Sequence, residues 1–414
     1  MRFIRVGICV LVTFAVLAFG AVETWSQSVL QIGAALLFLL WGFLMATGRG
    51  EEIRFAPVFW PLLGLELLAL LQFLIPLSLY PYLTKLELLR FSSYVILLFL
   101  LAQSFRTPRQ WRIFVWFLVL LGFSVALFGV LQDLTRNGKL YWVKELRYGG
   151  NSFGPYVNRN HFAGLMELLI PSGLAMLAVP GIRRQQMPLV ALLAAIPVGA
   201  LLMSGSRGGI VAFACEIALL VLLLWIRGGD KKQLLIFLAA LLLASGLVAW
   251  LGMGDVIQRF SLMRNAEVSE GQRLSMSKGA YHIFRDHPWI GSGLGTIISV
   301  YPAYETAYDA SIVDHVHNDH FEWLAETGSV GMIYWLTFIG LLLVYGLKNI
   351  SAQRDRAVRA LHLGALVGCV GLLVHSFADF NLHIPANALL FYLLAGIASS
   401  NPVTDPITAD ASYE

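Results

Sequence analysis

Charge is what this chain lacks most. Asp, Glu, Lys and Arg make up 13% of its 414 residues, where a soluble globular domain carries about 25%. Cysteine is scarce too. Cys9, Cys215 and Cys369 all lie in apolar runs and offer neither a disulfide framework nor a zinc motif. No internal repeat stands out, and no stretch is left over for a large soluble domain. The net charge of +4 makes no nucleic-acid footprint, so no nucleic-acid partner is expected.

Apolar sequence fills the chain instead, with 58% hydrophobic residues and a mean hydropathy of +0.72. Apolar runs of about 18–22 residues recur, each long enough to cross a hydrocarbon core of about 30 Å. Spans are expected at about 6–23, 28–47, 57–79, 89–104, 111–131, 161–180, 187–204, 208–226, 233–251, 328–347, 358–378 and 384–400. They must be helices, because a backbone in lipid has to satisfy its own hydrogen bonds. The expected fold is an all-α polytopic membrane protein with about twelve transmembrane helices and a large, partly helical outer loop. Pro171 and Pro197 fall inside spans and should kink them. Met1-Arg2-Phe3-Ile4-Arg5 and the apolar run to Gly20 read as an uncleaved first span, since no small-x-small cleavage site follows.

Basic residues orient the spans. With the N-terminus in the cytoplasm, the short segments holding Arg2/Arg5, Arg49/Arg54, Arg106/Arg109/Arg112, Arg183/Arg184, Arg227/Lys231/Lys232 and Lys348/Arg354/Arg356/Arg359 all face inward. The short loops near 24–27 and 379–383 carry no Lys or Arg and face outward. Both termini are then cytoplasmic. The chain divides into N-terminal transmembrane helices (1–131), an outer loop (132–160), central helices (161–251), a large outer loop carrying the candidate catalytic residues (252–327), C-terminal helices (328–400) and a cytoplasmic tail (401–414).

Five segments with chemical potential fall on that outer side. In Ser204-Gly205-Ser206-Arg207-Gly208-Gly209, small residues let a bulky anion approach Arg207 and exposed backbone N–H groups; a tight turn with a snorkelling arginine is the other reading. Gly271-Gln272-Arg273 begins an amphipathic helix reaching Arg285, and both guanidinium forks suit phosphate oxygens. That helix ends at His287-Pro288-Trp289-Ile290-Gly291-Ser292-Gly293-Leu294-Gly295. Asp314-His315-Val316-His317-Asn318-Asp319-His320 leads into Glu322 and Glu326; a histidine there can act as base or hold an attacking hydroxyl. A metal site on His315/His317 and a polar helix cap are its rivals. Asn158-Arg159-Asn160-His161 opens the sixth span, where side chains can orient sugar or phosphate oxygens or merely cap the helix. His375-Ser376-Phe377-Ala378-Asp379-Phe380-Asn381-Leu382-His383 links the last two spans. Asp379 is its site candidate, with capping again the alternative.

Taken together these segments resemble the O-antigen ligase and polymerase superfamily of bacterial polysaccharide assembly. The carriers are Asn-Arg-Asn-His-Phe-Ala-Gly, the Ser-Arg-Gly turn, the Arg273 helix ending in Pro-Trp-Ile-Gly-Ser-Gly-Leu-Gly, His-Asn followed by Leu-Ala-Glu-Thr-Gly-Ser-Val-Gly, and His-Ser-Phe-Ala-Asp-Phe-Asn-Leu-His-Ile-Pro-Ala-Asn, all between about 150 and 395. The resemblance implies a GT-C-like glycosyltransferase of the bacterial inner membrane with its active site facing the periplasm. Its donor would be a glycan on undecaprenyl diphosphate, with no metal, nucleotide sugar or other cofactor. Carried over, Arg207 is the turn arginine, Arg273 the loop-helix arginine and His317 the catalytic histidine; Arg285 matches less closely. Arg159, Asn158, Asn160, His161, Asn318, His315, Glu322 and Asp379 complete the expected substrate-binding set.

Three acceptors compete. A lipid A–core sugar makes the chain a ligase, a lipid-linked repeat makes it a polymerase, and a protein Ser or Thr makes it an O-oligosaccharyltransferase. From another class, a polysaccharide or lipid transporter would place ionisable residues in mid-span and show internal repeats. Glu66, Glu167 and Glu216 lie in or near spans, but most of the polar residues sit in the outer loops.

Overall fold

A computed structural model describes residues 1–135, 137–145, 152–179, 184–226, 270–305 and 312–401. The first half contributes α1 (Arg2–Leu17), α2 (Thr24–Ala46), α3 (Phe59–Leu74), α4 (Pro81–Ser104), α5 (Pro108–Leu134), α6 (Arg159–Ala178), α7 (Met187–Ser204) and α8 (Arg207–Ile226). The second half contributes α9 (Glu270–Asp286), the single turn α10 (Ile297–Val300), α11 (Asp319–Ala352), α12 (Arg356–His375) and α13 (Pro385–Ser399). Among the described residues, eight helices are long and apolar enough to cross a membrane, and α3 and α13 are shorter apolar helices. This is the all-α polytopic architecture that composition requires. The span expected at 233–251 lies outside the described residues, as do residues 252–269, 306–311 and 402–414 of the outer loop and tail.

Burial sorts the helices by depth. In α6, 94% of the apolar window is buried against protein, and in α2 only 11%, so α6 is central and α2 faces lipid. The α6–α12 contact depends on small residues. Gly364 and Gly368 of α12 lie against the backbone of α6 at Pro171, Ser172, Glu167 and Leu168, where an added Cβ would come within 2.9 Å of the Glu167 carbonyl oxygen at Gly368. Small residues four apart are what lets membrane helices approach this closely. Pro171 stands inside α6 and Pro197 inside α7, and both helices continue through them.

Polar contacts define two ends of the bundle. At one end Arg5 donates to the Ser104 carbonyl at 2.8 Å, Arg106 pairs with Glu51 at 3.0 Å, and Arg112 lies 3.5 Å from Asp355. Asn349 there donates to the Ala398 carbonyl at 3.0 Å. At the other end Gly20 lies against Tyr156 and Ile384. Tyr156 donates to Asn387 at 2.9 Å, and Asn387 donates to the His161 carbonyl at 2.8 Å. The starts of α6, α8, α11 and α13 and the end of α12 therefore share this second end.

The helix expected to begin at 328 begins at Asp319, but it breaks at Gly328 (φ 62°, ψ −162°). The Pro288–Leu294 segment lies in the break. Ser329 and Val330 donate backbone N–H to the carbonyls of Pro288 (2.8 Å) and Trp289 (3.0 Å), and Ser292 and Gly293 donate to Ala325 (3.0 Å) and Glu326 (3.0 Å). The break would otherwise strand these groups in a buried setting. Gln72 of α3 completes the seam. Its amide donates to the carbonyls of Ile290 (2.6 Å) and Glu326 (2.9 Å) and accepts from the Leu294 N–H at 3.1 Å. Trp323 and Trp335, on either side of the break, stack with ring centroids 5.5 Å apart.

Candidate active site

Asp379, in the link from α12 to α13, organises the second end. It is 1% exposed. His317 Nδ1 lies 3.3 Å from its Oδ1, Asn160 donates to its Oδ2 at 2.8 Å, and His161 Nε2 stands 3.8 Å from Oδ1. Burial alone would raise this carboxyl. The His161 and His317 imidazoles outweigh burial and hold it well below the usual carboxylate range. A carboxylate on Nδ1 fixes the tautomer of His317 and leaves Nε2 as the basic nitrogen. His317 also sits at φ 51°, a left-handed conformation that is uncommon outside glycine and marks strain at functional positions.

A second carboxylate group lies beside it. His315 Nδ1 meets Glu322 at 2.6 Å, and the other Glu322 oxygen accepts the Val316 N–H at 2.9 Å. His383 lies between Asp319 (2.7 Å) and Glu322 (3.3 Å). Burial would lower His383, but Glu322 and then the hydrogen-bonded Asp319 outweigh it and push it up to about 10. Asp319 also accepts from Ser376 at 2.6 Å and from the Leu382 N–H at 3.1 Å. His315, Glu322 and His383 offer ligand atoms within 4.8 Å of one another, a set that could hold a metal ion. The same three side chains, with Asp319, also satisfy one another directly: His383 lies between the two carboxylates and His315 sits on Glu322.

The arginines approach from two sides. Arg207 opens α8 and is exposed. Its neighbour Gly208 lies against His375 Nε2, and His375 holds Glu167 of α6 at 2.8 Å. Arg159 is 4% exposed, and its Nη1 would lie 3.4 Å from a Cβ built on Gly205, so two guanidinium groups border the Ser-Arg-Gly turn. Arg273 lies on α9, whose buried Met276, Ala280 and Ile283 form one apolar cluster with Val316 and Ala325. Its Nε is buried without a hydrogen-bond partner among the described residues. Arg207 likewise has no ion pair among them. No contact joins Arg273 to Arg207 among the described residues, and Arg285, in the last turn of α9, is exposed.

Some expected site residues are occupied structurally. Asn158 caps α6 by accepting the Asn160 N–H at 2.8 Å. Asn318 caps α11 by accepting from His320 and Phe321 at 3.1 Å and donates to the Phe377 carbonyl at 3.1 Å. Glu322 is 1% exposed and holds His315 in place. Asp319, His383 and the Glu167–His375 pair were not singled out from the sequence. Their signal was their position in or at the ends of spans, where an unpaired charge is costly and a partner is therefore to be expected.

No curated protein matches the chain. Residues 190–336 match the family model described as O-antigen ligase, a stretch that holds Arg207, Arg273 and the His-Asn motif. Over that stretch the chain is similar to the O-antigen ligase family.

Proposed function

We propose that this chain transfers a glycan from a polyprenyl diphosphate, undecaprenyl diphosphate by resemblance, to a sugar hydroxyl at the periplasmic face of the inner membrane, with a lipid A–core sugar as acceptor. The observation that carries this reading is the Asp379–His317 pair: a strained imidazole whose Nδ1 faces a buried carboxylate, with Arg207 at the start of α8 and Arg273 on α9 both without ion pairs among the described residues.

The acceptor oxygen attacks the anomeric carbon. A new O–C bond forms as the bond from that carbon to the diphosphate oxygen breaks, with inversion. The hydroxyl proton passes to His317 Nε2, and the electron pair leaves with the diphosphate. Arg207 and Arg273 stabilise the charge that develops there. Diphosphate is a good leaving group, so positioning and charge carry more of the rate than the base does. Polymerase action on a lipid-linked repeat uses the same step with a different acceptor.

The test is single-turnover transfer by the purified full chain from a synthetic polyprenyl-diphosphate glycan. Arg207→Ala and Arg273→Ala should each lower transfer by about 10²–10³-fold, the usual cost of removing one charge-stabilising group. Arg207→Lys should recover part of it, because a point charge lacks the fork. His317→Ala should slow transfer with donor affinity unchanged. Excess chelator should leave the rate as it was. Wild-type rates in the Arg207→Ala and His317→Ala proteins would sink the assignment.

A further inference from the structure

A groove runs up the bundle between α1 and α5. α1 packs on α2, α4 and α13, while α5 packs on α6, α7 and α12, and the space between them stays open. Its volume is about 1500 Å³, above the roughly 300–1,000 Å³ of a pocket for a drug-sized ligand. Val10, Thr13, Phe14, Ile113 and Phe117 form its walls. A second hollow continues it along the same two helices to Phe128. From Arg109 to Phe128 the helical rise is about 28 Å, close to the thickness of a hydrocarbon core.

The two ends of this groove differ. At the end remote from the Asp379 cluster, Arg2, Arg5 and Arg109 line it, and no acidic residue does. The neighbouring basic residues are neutralised, Arg106 by Glu51 and Arg112 by Asp355. Arg2 and Arg109 have no such partner among the described residues. Toward the site the groove is closed. Tyr141 donates to the Leu17 carbonyl at 2.5 Å, and its ring packs on Phe19 (5.5 Å) and Phe128 (5.0 Å). Lys144, over the Phe19 ring, is already paired with Glu23 at 2.7 Å.

We infer that this groove is a binding site for an anionic membrane phospholipid of the leaflet opposite the active site, its acyl chains between α1 and α5 and its phosphate on Arg2, Arg5 and Arg109. Basic pockets between membrane helices select such headgroups. A polyprenyl donor is the wrong occupant, because its diphosphate must reach Arg207 at the other end, where Tyr141 closes the groove. A cationic mouth in which Arg2 and Arg109 lack acidic partners among the described residues likewise favours an anionic over a zwitterionic headgroup.

The experiment uses the full chain in detergent, delipidated and re-exposed to equimolar phosphatidylglycerol, cardiolipin and phosphatidylcholine, with bound lipid read by native mass spectrometry. The wild type should retain the anionic lipids at least about tenfold over phosphatidylcholine. The triple variant Arg2→Gln, Arg5→Gln, Arg109→Gln should bring retention to parity, and Arg109→Gln alone should reduce the preference should the triple variant fail to insert. Thr13→Trp, which narrows the groove, should lower retention of every lipid. Equal retention by the wild type, or an undiminished preference in both arginine variants, overturns the proposal. So does displacement of the anionic lipid by a polyprenyl phosphate, which would assign the groove to the donor.

Discussion

His317 holds a backbone conformation that costs on the order of 1–3 kcal/mol for a non-glycine residue, and its φ of 51° persists because its neighbours fix it. Asn318 caps α11 immediately after it, and Asp379 holds its ring. His317→Asn tolerates the left-handed region but loses the proposed base. It should therefore insert and melt at or above the wild-type temperature while transfer falls by about 10²–10⁴-fold, the range of general base catalysis; a large loss of thermal stability would show that the imidazole is there for folding. His383 gives a second residue-scale prediction. Its folded value near 10 lies above the unfolded value of about 6.5. Its contribution to stability is therefore full below about pH 6.5 and is lost as pH rises through about 10. Asp379, held low, works the other way: its contribution is present above the unfolded carboxylate value and lost as pH falls toward the folded one. The melting temperature should decline on the alkaline side, and His383→Gln should flatten that decline without touching the acid side.

At the scale of elements, the seam between Pro288–Leu294 and the broken α11 fixes where His317 stands relative to the membrane span. Gly328 has φ 62°, and an added Cβ would meet the Trp289 carbonyl carbon and the Ile290 nitrogen within 2.6 Å. Gly328→Ala carries both the cost, about 1–3 kcal/mol, of a φ/ψ region open essentially to glycine alone and that backbone clash. It should lower the melting temperature and loosen the site together, seen as faster proteolysis of the outer segments. Gly340→Ala, in open space on the same helix, should do neither. The sequence made the spans readable because length and hydropathy are local properties. It made the Arg207 turn, the His-Asn motif and Asp379 readable because polar groups between spans stand out. The seam was not readable. It depends on Gln72, a lone amide in an apolar run far away in the chain, and on a glycine whose φ no composition records. Between capping and ligand contact at Asn318, and between support and contact at Glu322, the pattern could not choose, since both uses take identical side chains.

For the whole molecule, the two ends carry different chemistry. The Arg5, Arg106, Arg112 and Asn349 contacts gather the start of α1, the α2–α3, α4–α5 and α11–α12 links and the end of α13 at one end. The Asp379, Asp319 and Asn387 contacts gather the starts of α6, α11 and α13 and the end of α12 at the other. Orientation therefore rests on few assumptions: if any one short link at the first end faces the cytoplasm, all of them do. Charge bias predicts that this end faces inward, because Arg49, Arg54, Arg106, Arg109, Arg112, Arg354, Arg356 and Arg359 all lie in its short links or in the first turns of the helices that follow them. Reporter insertions after Arg49 and after Arg354 should both read cytoplasmic, and one after Lys144 periplasmic. The opposite pattern at all three would invert the molecule and place the Asp379 cluster in the cytoplasm, where a periplasmic acceptor sugar could not reach it. Opposite readings at Arg49 and Arg354 would contradict the helix packing itself, since the Arg106–Glu51 and Arg112–Asp355 pairs could not then both form.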